Sequence, residues 1–205
     1  MQILKPELRE RVLAAAERVF AESGYEGATM AAIAERAGVS TGNLYRYFAN
    51  KEVLFRTIFT DEFAERFLGL VRKRVGSLRA SDDLEALGPE ARADASALLA
   101  FFLEHRTKVV VLLAHAEGSP FASFRERFVE ELVKPTEAKL RADAGGRRLS
   151  KEEKLVVRLV FENTVRALVA LLEDGRSDES TVEALAGFWS YQLAGLAGLA
   201  RWVVS

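Results

Sequence analysis

The chain has 205 residues, 49% of them apolar, enough to bury a core as one domain or two small ones. It has no cysteine, which excludes disulfides and thiolate metal sites and fits a reducing cytoplasm; a net charge of −1 says nothing by itself for nucleic acid. No apolar run approaches the ~18 residues of a membrane span, and the charged start MQILKPELRE lacks the apolar stretch of a signal peptide, so a cytoplasmic protein without membrane association is expected.

Pro6 to Ser23 predicts a first helix, with proline in its first turn and a stripe of Leu8, Val12, Ala15, Val19 and Phe20. Gly24 ends it, and Arg9, Arg11 and Arg18 read as a solvated face. Thr29 is an N-cap for a second helix whose Met30, Ile33, Ala34 and Ala37 share one face. Gly38 supplies the positive φ of a tight turn. Ser40 caps a short third helix, Thr41 to about Phe48. In it Leu44 and Phe48 turn inward, and Thr41, Gly42, Asn43, Tyr45, Arg46 and Tyr47 turn outward. Asn50 caps the next helix, which starts at Lys51.

The outward set suits a helix that reads DNA. Small residues let the backbone approach a groove, and Asn43 and Arg46 can make bidentate contacts with base edges. The tyrosine hydroxyls and Lys51, with Thr29 and Ser40 at the caps, complete a candidate DNA-contacting set; phosphate contacts fix register. The competing reading is a short surface helix with polar residues outward. From Ala37 to Lys51 the charged residues are Arg46 and Lys51, with no acid. The positive face is therefore local, helped by helix N-termini, and binding should rely on a dimer with specific contacts.

From Lys51 a long helix is expected to about Val75. Phe55, Phe59, Phe63 and Phe67 recur every fourth residue, and Arg72, Lys73 and Arg74 favour its C-terminal dipole. Ser77 to Pro89 is a polar connection. Glu90 to about His105 carries Leu98, Phe101 and Phe102. Arg106 to about Ala116 carries VVVLL, apolar nearly all round, which marks a central buried helix. Phe121 to about Ala144 is amphipathic, with Pro135 expected to kink it. Ser150 to Glu153 is a capping box opening a helix that runs to about Asp174. The last helix runs from Asp178 or Ser180 to Trp202.

That last helix contains Gly187, Gly195 and Gly198, at a cost of roughly 3 kcal/mol relative to alanine. Gly187, Ser190, Ala194, Ala197 and Gly198 form a small face that lets another backbone come close. Leu185, Trp189, Leu196, Leu199 and Val203 form the opposite, core-like face. The preceding helix is also apolar on both faces, with Leu168 and Leu172 toward a partner. Two such helices imply an interface between copies; intramolecular packing of the small face is the alternative.

The two histidines, His105 and His115, do not have the spacing of a helical metal pair. Arg158, Glu162 and Arg166 read as an ion-pair ladder. There is no phosphate loop, nucleophile elbow or paired-carboxylate motif, so an enzyme is the weakest class, and no cofactor or metal is expected.

The segment Tyr25 to Leu54, YEGATMAAIAERAGVSTGNLYRYFANKEVL, closely resembles the DNA-binding module of TetR-family transcriptional regulators. Met30 stands where a small hydroxyl or Val is frequent, and Asn43 where Thr, Ala or Ser is frequent; both departures bear on which bases are read. The resemblance implies an all-α fold of about nine helices, with a three-helix DNA-binding domain at 1–52 and a larger helical effector-binding and dimerisation domain at 53–205. It implies a homodimer whose last two helices form a four-helix bundle, and a palindromic operator with half-sites about 34 Å apart or somewhat more. Repression released by a small, largely apolar ligand is the expected function. Phe63, Phe67, Phe102, Phe124 and Phe161 are candidates for an apolar pocket and His105, His115 and Asn163 for its polar contacts, with plain core as the competing role. A second class of function is a DNA-binding protein whose C-terminal part is a platform for another protein, with no small-molecule effector.

Overall fold

A computed structural model describes residues 6–77, 88–175 and 177–204. The described residues are all-helical, with no strand. The helices are α1 (Pro6–Gly27), α2 (Met30–Ala37), α3 (Thr41–Tyr45), α4 (Lys51–Ile58), α5 (Asp61–Gly76), α6 (Pro89–Glu104), α7 (Arg106–Val110), α8 (Phe124–Asp143), α9 (Lys151–Glu173) and α10 (Asp178–Val204). A π-helical turn, Val111–His115, follows α7. The connection expected at Ser77 to Pro89 lies largely outside the described residues.

An expectation about helix length fails. The single long helix from Lys51 is two helices. Phe59 leaves the helical region (φ −106°, ψ 88°), and the Thr60 hydroxyl accepts from the Phe63 N–H at 3.1 Å. Asp61 and Glu62 then fill the first turn of α5. An N-cap followed by two acids is a strong start signal, and it outweighs the i,i+4 phenylalanine pattern. The single helix expected from Lys51 to about Val75 therefore does not form. Pro135, expected to kink its helix, lies inside α8, which runs on to Asp143.

The chain divides into two compact units, Met1–Glu65 with Thr107–Arg125, and Arg66–Arg106 with Glu126–Ser205. This is not a cut at 52/53: the first unit takes in a second segment from the middle of the chain. The reason is apolar content. Val109 to Leu113 are all buried, and the π turn packs against α1.

The core of the first unit is aromatic. Phe20 meets Phe55 edge-on at 4.9 Å, Phe55 stacks on Phe59 at 4.3 Å, and the edge of Tyr25 reaches Phe55 at 5.0 Å. Such pairs add ~0.5–1.5 kcal/mol each beyond area burial. Gly118 is required where it stands: its φ is +73°, and a Cβ there would lie 2.6 Å from Glu26 Oε1.

In the second unit Phe67 stacks on Phe101 at 5.2 Å and meets Phe102 edge-on at 5.8 Å, with Phe128 beside it at 5.3 Å. The capping box of α9 forms as expected. Glu153 also receives two bonds from Arg147, at 3.0 and 2.7 Å, and Arg147 donates to the Val203 carbonyl at 2.7 Å. One carboxylate thus ties the start of α9 to the end of α10. The arginine, and then the bonds at the cap, hold it below the ordinary glutamate range.

Candidate nucleic-acid interface

The α2–α3 unit is built by caps. The Thr29 hydroxyl accepts from the Ala32 N–H at 3.1 Å. At the other end Gly38 is left-handed (φ 66°, ψ 39°). The Gly38 N–H reaches Glu35 O at 3.0 Å and the Val39 N–H reaches Ala34 O at 3.0 Å, a Schellman closure. Arg11 donates to the Ala37 carbonyl at 2.8 Å, fastening the end of α2 to α1. Ser40 accepts from Asn43 N–H at 3.2 Å, and Asn50 accepts from Val53 N–H at 2.8 Å.

α3 is shorter than expected, but the turn continues to Phe48, whose N–H still bonds Leu44 O at 3.0 Å. Leu44 and Phe48 are buried. Thr41, Gly42 and Arg46 are exposed, Tyr45 is 50% exposed, and Asn43 and Tyr47 are half-buried. Thr29 and Ser40 are exposed at the caps. Leu44 and Phe48 are thus inward as inferred from the sequence, and of the six residues read as outward four are exposed. Gly42 has no positive φ, and a Cβ there would meet nothing within 4 Å, so nothing in the chain itself requires a glycine.

Lys51 is a correction. It was expected to reach phosphate, but its ammonium donates to three carbonyls, Tyr25 O at 2.5 Å, Ala28 O at 2.9 Å and Glu26 O at 3.2 Å. It also lies 4.4 Å from the centre of the Tyr25 ring. Its three N–H groups are thus used in holding the chain between α1 and α2. Burial pushes its pKa down, against the pull of Glu26. Sequence could not show this, because the acceptors lie 23 to 26 residues away. Arg36 is likewise engaged, with both Glu22 oxygens at 2.6 Å.

The eight residues proposed for a pocket do not come together. Phe102 and Phe161 line one enclosed recess in the second unit. Phe67 is packed solidly into that unit's core. Phe63, Phe124 and His115 belong to the first unit, with Phe63 beneath the Lys108 ammonium at 5.3 Å and Phe124 fully buried. His105 caps the end of α6 with its ring edge-on to Phe101 at 4.7 Å, and Asn163 is exposed on α9. The segment 107–125 folds with the first unit and takes His115 and Phe124 with it, and the division within α5 puts Phe63 and Phe67 in different units.

The recess holds a space of about 60 Å³. Its walls include Phe128, Leu132, Leu168, Leu185 and Trp189, with a buried pair in which Gln192 Nε2 donates to Thr164 Oγ1. Arg74 also lines it and is 5% exposed. These residues were missed or read as core; the available signal was a Thr and a Gln inside apolar stripes of α9 and α10.

Of the interface candidates, Leu168 and Leu172 are a second correction: both are buried inside their own unit. Leu168 lines the recess, and the leucines turned outward are Leu155 (57% exposed) and Leu159 (52% exposed). On α10, Gly187, Ser190 and Ala194 are exposed, Ala197 and Gly198 half-buried, and Tyr191 and Trp202 exposed beside them.

Residues 12–58 match the family described as bacterial regulatory proteins, tetR family. The HTH-type transcriptional regulator UidR of Escherichia coli is 34% identical over 82 residues, 40% of this chain and 41% of UidR. The HTH-type transcriptional repressor AcnR of Corynebacterium efficiens is 41% identical over 56 residues, 27% of this chain and 30% of AcnR. The chain thus matches well under half the length of each. A TetR-like transcriptional regulator from Rhodococcus sp. RHA1 shares the fold over 98% of this chain and 97% of its own, with a TM-score of 0.53 at 23% identity. Residues 12–58 thus carry a DNA-binding module of the tetR type, and the chain as a whole shares the helical fold of that Rhodococcus regulator.

Proposed function

We propose that the protein is a homodimeric transcriptional repressor that binds a palindromic operator through α3 and leaves it when a small ligand binds the second unit. The observation that carries the reading is the surface of α3 and the turn after it, with Thr41, Gly42, Tyr45 and Arg46 exposed and Asn43 and Tyr47 half-buried, held between side-chain caps at Thr29, Ser40 and Asn50. Arg46 and Asn43 would read base edges. Thr29, Ser40 and the tyrosines would hold phosphates and fix register. Gly42 would let the backbone approach the groove.

Dimerisation is supported by the exposed stripe on α9 and α10, where Leu155, Leu159, Tyr191 and Trp202 flank the small residues Gly187, Ser190 and Ala194. Two-fold pairing would present two α3 helices to two half-sites. Ligand response draws on the apolar recess of the second unit, whose space of about 60 Å³ would have to open to take a ligand of roughly 300 Å³ or more. The ligand must bind the operator-incompetent conformation better than the competent one, since equal affinity shifts nothing.

The test is a binding selection on random duplex DNA at a fixed, near-physiological salt concentration. A palindrome with half-sites about one helical turn or more apart is the expected result. Absence of any enriched sequence overturns the proposal.

A further inference from the structure

Resting on the reading that α3 meets an operator, we infer one letter of that operator: each half-site carries an adenine, read in the major groove by the carboxamide of Asn43. Asn43 is the third residue of α3, behind the Ser40 cap. At the same position of α9, Glu153 reaches back to the Ser150 N–H and closes a capping box. Asn43 closes no such box. Its backbone N–H donates to Ser40 Oγ at 3.2 Å, and its carbonyl accepts from the Arg46 N–H at 3.2 Å. Alanine would make the same two bonds and is the better helix former.

The side chain is therefore spare. Among the described residues, the Asn43 carboxamide makes no hydrogen bond. It is nonetheless half-buried, so neighbouring atoms confine it and it cannot sweep freely. An acceptor oxygen and two donor hydrogens are held in place with their capacity unspent. The surroundings admit a base edge. Thr41 and Gly42 before it are exposed, and open space lies where a Cβ of Gly42 would stand. No acid occurs between Ala37 and Lys51 to repel a duplex.

Carboxamide chemistry then selects the base. C=O and NH₂ lie side by side, so the group pairs fully with an edge that offers a donor beside an acceptor. In the major groove adenine does so, with its N6 amino group and N7. Guanine presents two acceptors, cytosine a donor alone, and thymine an acceptor and a methyl group. Each of these leaves half of the carboxamide unmet, and an unmet polar group in a closed interface is costly.

The experiment is a binding selection on random duplex DNA at fixed, near-physiological salt, run in parallel on the unaltered chain and on Asn43→Ala. The unaltered chain should enrich a palindrome with adenine at one symmetric pair of positions. Exchanging that base should weaken binding about 5- to 150-fold, the range of one bidentate pair. Asn43→Ala should become indifferent at that position and keep the rest of the palindrome. In the site of the unaltered chain, an adenine analogue with C–H in place of N7 should also weaken binding. A palindrome that Asn43→Ala reads unchanged overturns the inference, as does a lost preference for any base other than adenine; the operator reading stands in both cases. If the unaltered chain enriches no palindrome, the operator reading falls and this inference with it. Should Asn43→Ala fail to fold or enrich no site, the analogue placed at each adenine of the half-site in turn decides, and full affinity at every one overturns the inference.

Discussion

Between Thr29 and Asn50 the backbone is held by individually identifiable hydrogen bonds: three side-chain caps and one glycine closure, each within three to five residues of its partner. The recess of the second unit is held differently. Its walls come from five helices, α5, α6, α8, α9 and α10, mostly apolar side chains fixed by packing, with a buried Thr–Gln bond among them. The first region is stabilised by local polar bonds and presents polar atoms outward. The second is stabilised by packing and leaves an apolar space. A substitution in the first should change what is bound with little effect on the fold. A substitution in the second should change the fold first.

The largest effect that tests this contrast is Leu168→Ala. It removes a side chain that is 3% exposed at the recess wall, and should cost about 2–5 kcal/mol in urea unfolding. Leu159→Ser on the outward face of α9 should stay within about 0.5 kcal/mol when folding is followed at high dilution, yet weaken self-association in sedimentation. The reverse ranking would restore Leu168 to an interface.

Lys51 and Arg46 make a sharper pair. Lys51→Met keeps the stem and deletes three bonds to carbonyls, so unfolding stability should drop by about 1.5–3 kcal/mol. The salt slope of operator binding should not change, because no phosphate contact is lost. Arg46→Ala should leave stability alone and weaken operator binding by about 1–3 kcal/mol. A shallower salt slope in Lys51→Met with intact stability would return the lysine to the DNA-contacting set.

Gly42→Ala separates fold from function at a smaller scale. With no neighbour within 4 Å of the added carbon, the helix should gain about 0.5–1 kcal/mol, while operator affinity falls. Unchanged affinity would mean that no groove approaches residue 42.

The smallest effect concerns Glu153. Its carboxyl is held below the ordinary range, chiefly by Arg147. Its contribution to stability is therefore present above the unfolded value near about 4.3 and is lost as pH falls through the lower folded value. Glu153→Gln keeps a capping side chain and should flatten stability against pH in that acid window. An unaltered acid profile would show that the Arg147 bond contributes nothing to it.

What was legible in the sequence follows from range. Thr29, Gly38, Ser40, Asn50 and the Ser150–Glu153 box act on neighbours three to five residues away, so residue type and spacing suffice to read them. The inward pair Leu44 and Phe48 is equally local, being one helical turn apart. The first-unit aromatics misled because periodicity alone gives Phe55 to Phe67 one helix. The competing signal, Thr60 followed by two acids, is just as local but was outweighed by the repeat.

By itself the sequence determined an all-helical chain, the place of the DNA-binding module, its caps and the outward set on α3. These depend on backbone groups that must be satisfied within a turn or two. Only the tertiary structure decided the rest: Lys51 is consumed by carbonyls, Val109 to Leu113 belong with α1, Leu168 faces inward, and Arg74 is buried beside an apolar recess. Each of those facts depends on atoms far apart in the chain that close packing brings together. A helical period shows that a residue has an inner face, but not which neighbour will cover it.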